Sequence, residues 1–335
     1  MKTLLRQLLV AAGLLAGTGC AKTTEPPTPT PPCDCPPLVV KPTSFMWPTV
    51  GPTLNYARPV FNPADAREVA YLRGSTDEGP LGPFRIGGLW VGSLATRQQR
   101  PVLLGNDMYL QVRWGAGGWL ALSKGDQIWK IKATGDSLTQ LTNGPAHYQP
   151  QWSPDGQRLV CFSSGNGAAD QHLELLAKDG TRLPMPSLEA LNGYAEAWAP
   201  DGNQLLVGLS EGSRHGLGIY DFRTGRARFL VANQPAPEGT GDSCFGAAWL
   251  PDSQAFVWCT GGGVFRTDAA TGATTRLRAG CFARTYLHPS VSANGQQLIV
   301  ERTDQKAIED GTKIYAEIAL WTMNIDGSNE RKVEF

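Results

Sequence analysis

One phrase recurs along this chain, and the recurrence constrains the fold more than any other feature. Gln151-Trp152-Ser153-Pro154-Asp155-Gly156 returns as Ala197-Trp198-Ala199-Pro200-Asp201-Gly202 and as Ala248-Trp249-Leu250-Pro251-Asp252-Ser253. Looser copies are Val60-Phe61-Asn62-Pro63-Ala64-Asp65, Arg113-Trp114-Gly115-Ala116-Gly117-Gly118 and Ser290-Val291-Ser292-Ala293-Asn294-Gly295. The aromatic or apolar anchors fall at 61, 114, 152, 198, 249 and 291, so the spacings are 53, 38, 46, 51 and 42 residues. Units of that length cannot each bury a core alone, and stacking neighbours is how such sequences fold.

Each unit reads as four short strands. The anchor ends the first strand, and Pro-Asp-Gly makes a tight turn because Pro presets φ and Gly tolerates positive φ. An alternating or wholly apolar second strand follows, such as Leu159-Val160-Cys161-Phe162. A third strand (Ile128-Trp129-Lys130-Ile131, Gly218-Ile219-Tyr220-Asp221) and a short closing strand (Leu138-Thr139-Gln140-Leu141-Thr142) complete the unit. No stretch has a useful helical period. Six units of four antiparallel strands predict an all-β, six-bladed β-propeller over residues 45–335. Composition agrees: 39 Gly, 25 Pro and 10 Trp with only 18% charged residues suit a turn-rich β protein.

The first 44 residues lie outside the repeats. Lys2 and Arg6 precede an apolar run from Leu8 to Ala16, too short for a comfortable permanent span, which marks residues 1–19 as a secretory signal. Gly17, Thr18 and Gly19 lead into Cys20, resembling a bacterial lipoprotein signal, which implies lipidation of Cys20. Residues 20–44 are then the lipidated cysteine and a linker. Seven prolines among residues 21–37 favour an extended polyproline II spacer, about 50 Å long at ~3.1 Å per residue. Cys33 and Cys35 within it could bind metal, close a ring or cross-link chains; incidental thiols are the preferred reading.

Thirty Lys+Arg balance thirty Asp+Glu, which argues against a nucleic-acid partner. The four histidines, His147, His172, His215 and His288, show no metal-ligand spacing, and neither a metal nor another cofactor is expected. Gly208-Leu209-Ser210-Glu211-Gly212 matches a nucleophile-elbow pattern, but the elbow requires a following helix and a β-hairpin is expected there. Asp155, Asp201, Asp252 and Asp326 read as turn formers.

The phrases QWSPDGQRLVCFSS, AWAPDGNQLLVGLS and LWTMNIDGSNERKVEF resemble the WD40-like (PD40) repeats of the TolB-like propellers. The resemblance covers nearly all of residues 54–335 and implies a six-bladed propeller that binds proteins in the cell envelope. Complete TolB carries an α/β domain before its propeller. Here a signal and linker are expected in that place, so partner binding that depends on that domain is not carried over.

An aromatic stands four or five positions before each anchor: Tyr56, Tyr109, Tyr148, Tyr194, Phe245 and Tyr286. Beside them lie Arg58, His147, Glu196, Asp242, Arg284 and His288. These twelve residues form the candidate partner-binding set at the channel mouth, where amphipathic rings with a mixed-charge rim could hold a protein, a peptide or a glycan. The alternative is that the rings wedge between blades. Cys161 and Cys259 are expected to pack as small apolar residues. Cys244 and Cys281 precede the first strands of adjacent blades on one face, and a disulfide between them is left open.

The expectation is a monomeric, non-catalytic propeller, lipid-anchored in the envelope at the outer membrane facing the periplasm, or at the cell surface. Its partner is an envelope protein or peptide. A glycan- or peptidoglycan-binding lipoprotein is the alternative, and an enzyme cleaving glycans or peptides comes third.

Overall fold

The computed structural model describes residues 35, 38–39, 49–52, 54–76, 84–105, 111–165, 170–191, 193–233, 244 and 246–335. A two-residue strand β1 (Thr49–Val50) precedes six sheets set around a common axis. Blade 1 is β2 (Asn55–Asn62), β3 (Asp65–Thr76), β4 (Phe84–Ser93) and β5 (Gln99–Leu104). Blade 2 is β6 (Val112–Trp114), β7 (Trp119–Lys124), β8 (Gln127–Lys132) and β9 (Thr139–Gln140). Blade 3 has β10 (His147–Trp152), β11 (Arg158–Ser163) and β12 (His172–Ala177), with its fourth strand reduced to a Leu176–Arg182 bridge before a one-turn helix α1 (Pro186–Glu189). Blade 4 is β13 (Gly193–Trp198), β14 (Gln204–Glu211), β15 (Arg214–Asp221) and β16 (Arg226–Ala232). Blade 5 is β17 (Ala247–Trp249), β18 (Ala255–Thr260), β19 (Gly263–Asp268) and β20 (Thr274–Ala279). Blade 6 is β21 (Arg284–Val291), β22 (Gln297–Ile308), β23 (Lys313–Asn324) and β24 (Arg331–Lys332). Within each blade the pairing is antiparallel between chain neighbours, as a propeller requires.

Six apolar clusters fill the six seams between blades, because each sheet has a neighbour on both faces. The second strands are therefore buried almost end to end, as in Leu159-Val160-Cys161 and Phe256-Val257-Trp258-Cys259. Cys161 and Cys259 are among these buried side chains, as the sequence suggested. The Asp residues of the tight turns shape the backbone: Asp155 Oδ1 accepts from the Gln157 amide (3.0 Å), Asp201 Oδ1 from Asn203 (2.9 Å) and Asp252 Oδ1 from Gln254 (2.9 Å). Gly156 and Gly202 take the positive φ those turns demand, 65° and 75°.

The ring closes between blades 6 and 1 by several small devices. β1 pairs in parallel with the start of β23, whose later part pairs with β24. Asn55 Oδ1 accepts the Ile318 amide (2.8 Å) across the seam. Phe335 stacks on Tyr71 of blade 1 at 4.9 Å and covers Gly92, where a Cβ would collide with its ring.

A disulfide joins Cys35 to Cys281, 246 residues apart, with Cα atoms at 6.4 Å. This corrects two expectations at once. Cys281 does not pair with Cys244, and Cys35 is not an incidental thiol. Cys244 is buried in the blade 4–5 seam, where its Sγ donates to the Gly246 carbonyl at 3.6 Å, whereas Cys281 sits half-buried ahead of β21, within reach of the N-terminal segment.

Candidate functional site

The innermost strands β2, β6, β10, β13, β17 and β21 start on one face, the entry face, and end at the Pro-Asp-Gly turns on the other, the turn face. At the turn face they enclose a cavity of about 340 Å³. Its walls are the anchors Phe61, Trp114, Trp152, Trp198, Trp249 and Val291, its rim includes Pro63, Pro154, Pro200 and Pro251, and the residues one before the anchors reach it from below: Val60, Arg113, Gln151, Ala197, Ala248 and Ser290. Apolar, rigid walls over a few polar groups are the usual build of a binding site.

Deeper in the channel the inner strands are irregular at one repeat position. The residue three before the anchor has positive φ at Arg58 (54°), Gln149 (57°) and His288 (49°), each followed by a proline. The pairing with the second strand shifts there, leaving a bulge in β2, β10 and β21. Left-handed backbone on a side chain of this size costs about 1–2 kcal/mol per residue, and such strain collects at functional sites.

Polar ties stitch the inner strands together at this level. Arg113 Nε donates to Gln151 Oε1 (2.8 Å), Gln151 Nε2 to the Ala195 carbonyl (3.3 Å), Trp249 Nε1 to the Ala197 carbonyl (3.1 Å), and the Phe61 amide to Ser290 Oγ (3.0 Å). The Arg58 amide donates to Glu301 Oε2 (2.9 Å), and His288 Nε2 lies 3.9 Å from that same oxygen. Among the described residues, the Arg58 guanidinium has neither a hydrogen-bond nor an ion-pair partner.

The charge states follow from burial. Burial pushes the Glu196 carboxyl up to about 7, opposed by Arg113 and by the Ala247 amide, and its Oε2 is buried without a partner among the described residues. Burial also raises Glu301, against the pull of Arg58. His288 is held well below its usual range, first by burial and then by Arg58 and Arg113. It is therefore neutral at pH 7 and cannot form a true ion pair with Glu301. Arg113 is lowered to about 10, by burial with Arg58 adding to it, and stays charged. Arg58, Arg113 and His288 come from the inner strands of blades 1, 2 and 6, where Pro59, Arg113 and Pro289 line one cavity.

The twelve sequence candidates are dispersed rather than gathered into one exposed ring. Arg58, Glu196 and His288 face this channel region. Tyr286 is fully buried in the blade 5–6 seam, which corrects its placement at a channel mouth. Tyr56 packs on Tyr71 (5.5 Å) and Phe335 (6.0 Å), and Tyr194 covers Gly208, so these two rings also serve packing. Tyr148 is half-buried, its hydroxyl donating to Asp126 Oδ1 at 3.0 Å. Arg284 pairs with Asp304 at 3.2 Å. His147 is buried with Glu174 (3.2 Å), which also holds His172 (2.9 Å) in a separate pocket of blade 3. Tyr109, Asp242, Phe245, Cys20 and Cys33 lie outside the described residues.

Arg113 and Glu301, central to the channel, fell outside the sequence window of four or five positions before the anchor. The recurring Arg58-Pro59, Gln149-Pro150 and His288-Pro289 steps were the available signal. Ser210 Oγ bonds His215 Nδ1 at 2.8 Å across an exposed hairpin, with no carboxylate on that imidazole among the described residues. No group of His, Cys, Asp and Glu among the described residues is arranged to hold a metal ion.

Six blades, six apolar seams and a polar channel opening into an aromatic cavity define a β-propeller with a central cavity. The fold is that of the TolB-like propellers. A putative TolB from Agrobacterium tumefaciens matches with a TM-score of 0.57 and 18% identity, over 73% of this chain and 87% of that one. TolB from Acinetobacter baumannii matches with a TM-score of 0.55 and 18% identity, over 84% of this chain and 64% of that longer one. A chain of a nidogen/laminin complex matches with a TM-score of 0.55 and 12% identity, over 75% of this chain and 91% of that one. At these identities the likeness is one of fold. No protein-family model matches the sequence, and no curated protein matches it.

Proposed function

We propose that this chain is a non-catalytic cell-envelope propeller, lipid-anchored through Cys20 at the outer membrane, that binds a protein partner at the turn face of its channel. The carrying observation is the cavity of about 340 Å³ with walls of tryptophan and proline and a floor containing Arg113 and Gln151. Buried aromatic walls suit the insertion of a partner's anchor side chains, and the polar floor can fix their register. The likeness to TolB, and to a chain crystallised in a complex of nidogen with laminin, supports a protein as the ligand. The glycan reading loses its support where Tyr56, Tyr194 and Tyr286 are engaged in packing.

The test is capture from native envelope extract by the full chain, by Ala197→Arg/Ala248→Arg, which fills the cavity floor, and by Tyr148→Ala near the start of β10. Melting curves confirm that each is folded. A protein held by the native chain and by Tyr148→Ala, but lost from the double arginine variant, is the expected result. Loss with Tyr148→Ala alone would move the interface to the entry face, and capture of nothing would refute the partner reading.

A further inference from the structure

We propose that the channel binds a carboxylate group between blades 6, 1 and 2, gripped by the guanidinium groups of Arg58 and Arg113 with His288 beside them. The first observation is an unused donor set. Arg58 hydrogen-bonds Glu301 through its backbone amide, its guanidinium acts on that carboxylate only through space, and among the described residues the guanidinium donates no hydrogen bond. Arg113 spends Nε on Gln151 and Nη1 on the Val112 carbonyl (3.0 Å), leaving Nη2 without a bond among the described residues. Both residues are half-buried, so their open donors remain available to a ligand entering the channel.

The second observation is placement. Pro59, Arg113 and Pro289 line one cavity, the Arg58 amide and His288 Nε2 meet at Glu301 Oε2, and the Arg58 charge bears on both Arg113 and His288. Arg58 and His288 are held there by the positive-φ bulges preceding Pro59 and Pro289. The bulges fix the backbone at these two positions, so the open donors of Arg58 are presented from a rigid stretch of strand.

The third observation concerns the counter-charges. Glu301 accepts the Arg58 amide while its charge acts on Arg58, and burial pushes the Glu196 carboxyl up to about 7, so Glu196 offsets Arg113 only in part at neutral pH. Because both carboxyls stand close by, a singly charged planar anion fits better than a phosphate dianion. Such a group would come from a partner's acidic side chain or from a chain end, and in this the inference rests on the partner reading. Small carboxylates test the site by itself, so its failure and the failure of partner capture are separate results.

The full chain is titrated calorimetrically with propionate, which mimics an acidic side chain, with N-acetylglycine, which mimics a chain end, and with inorganic phosphate. The expected result is saturable binding of one of the two carboxylates, weakened about tenfold or more in Arg58→Gln and in Arg113→Gln, and unchanged in Lys130→Gln on the outside of blade 2. The tighter of the two carboxylates identifies the source. Arg58→Lys keeps charge and loses the fork, so it should bind at an intermediate level. The absence of saturable carboxylate binding, preference for phosphate, or unaltered affinity in folded Arg58→Gln, Arg58→Lys or Arg113→Gln would overturn the proposal.

Discussion

Removing the Cys35–Cys281 disulfide should destabilise the propeller by an amount that its loop length sets. The bond closes 246 residues into one loop. The chain-entropy relation gives about 5 kcal/mol for a loop of that size. With an unfolding entropy of about 2 cal/mol/K per residue over roughly 290 folded residues, that corresponds to a fall in Tm of about 8 °C. The value is an upper figure, because the broken bond also frees the segment before β1 in the native state. Cys281→Ser is the clean perturbation. Cys35→Ser alone could be rescued by Cys33 two residues away, so Cys33→Ser/Cys35→Ser is the matching partner. Circular-dichroism melts of both variants, and of the native protein in reductant, should shift alike, and Cys281→Ser should be insensitive to reductant. Peptide mapping without reduction should join the Cys35 and Cys281 peptides and leave Cys244 to alkylate only on unfolding. A shift below about 2 °C in Cys281→Ser would refute the argument that this bond constrains the unfolded chain.

Three further outcomes follow from the seams and the channel. Between its ordinary 4.5 and the raised value of about 7, Glu196 keeps a proton in the folded protein that the unfolded chain has lost. Stability should therefore be greatest below that window and fall by about 3 kcal/mol as pH rises through 7, and Glu196→Gln should flatten a denaturant-midpoint profile over it. Tyr286→Ala, in a fully buried site, should cost about 3 kcal/mol or more in urea unfolding, whereas Tyr148→Ala should cost about 1 kcal/mol or less. Gly92→Ala drives a methyl into Phe335, so it should lower Tm in the native background and add little to Phe335→Ala, a coupling that a double-mutant cycle measures.

The blades were legible because their signals are local. Pro-Asp-Gly demands a turn, and the anchor two residues before each proline must enter a seam. The recurrence of tyrosine was legible as a fact but not as a role, because a ring that wedges between sheets and one that greets a ligand recur with the same period. The burial of Tyr286 and the stacking around Tyr56 decide it for those two. The channel charges were half legible: Arg58 and His288 stand before prolines at equivalent positions. Glu301, by contrast, reaches the channel from β22 by its cross-strand register with Leu287, which no spacing rule announces. The disulfide was hidden for a related reason. Its partners lie 246 residues apart, and only closure of the ring brings a pre-propeller segment to the last blade.

That closure has a mechanical consequence. β1 holds β23 through two residues, and a tug on the segment ahead of Cys35 would unzip so short a pairing first if it stood alone. The covalent bond diverts the load: tension arriving at Cys35 passes into blade 6 at Cys281, and the chain from 36 to 280 is slack with respect to it. The blades between are spared the pull. A domain dragged by its leading end behaves in this way as a rigid fitting, with its weakest joint out of the line of force.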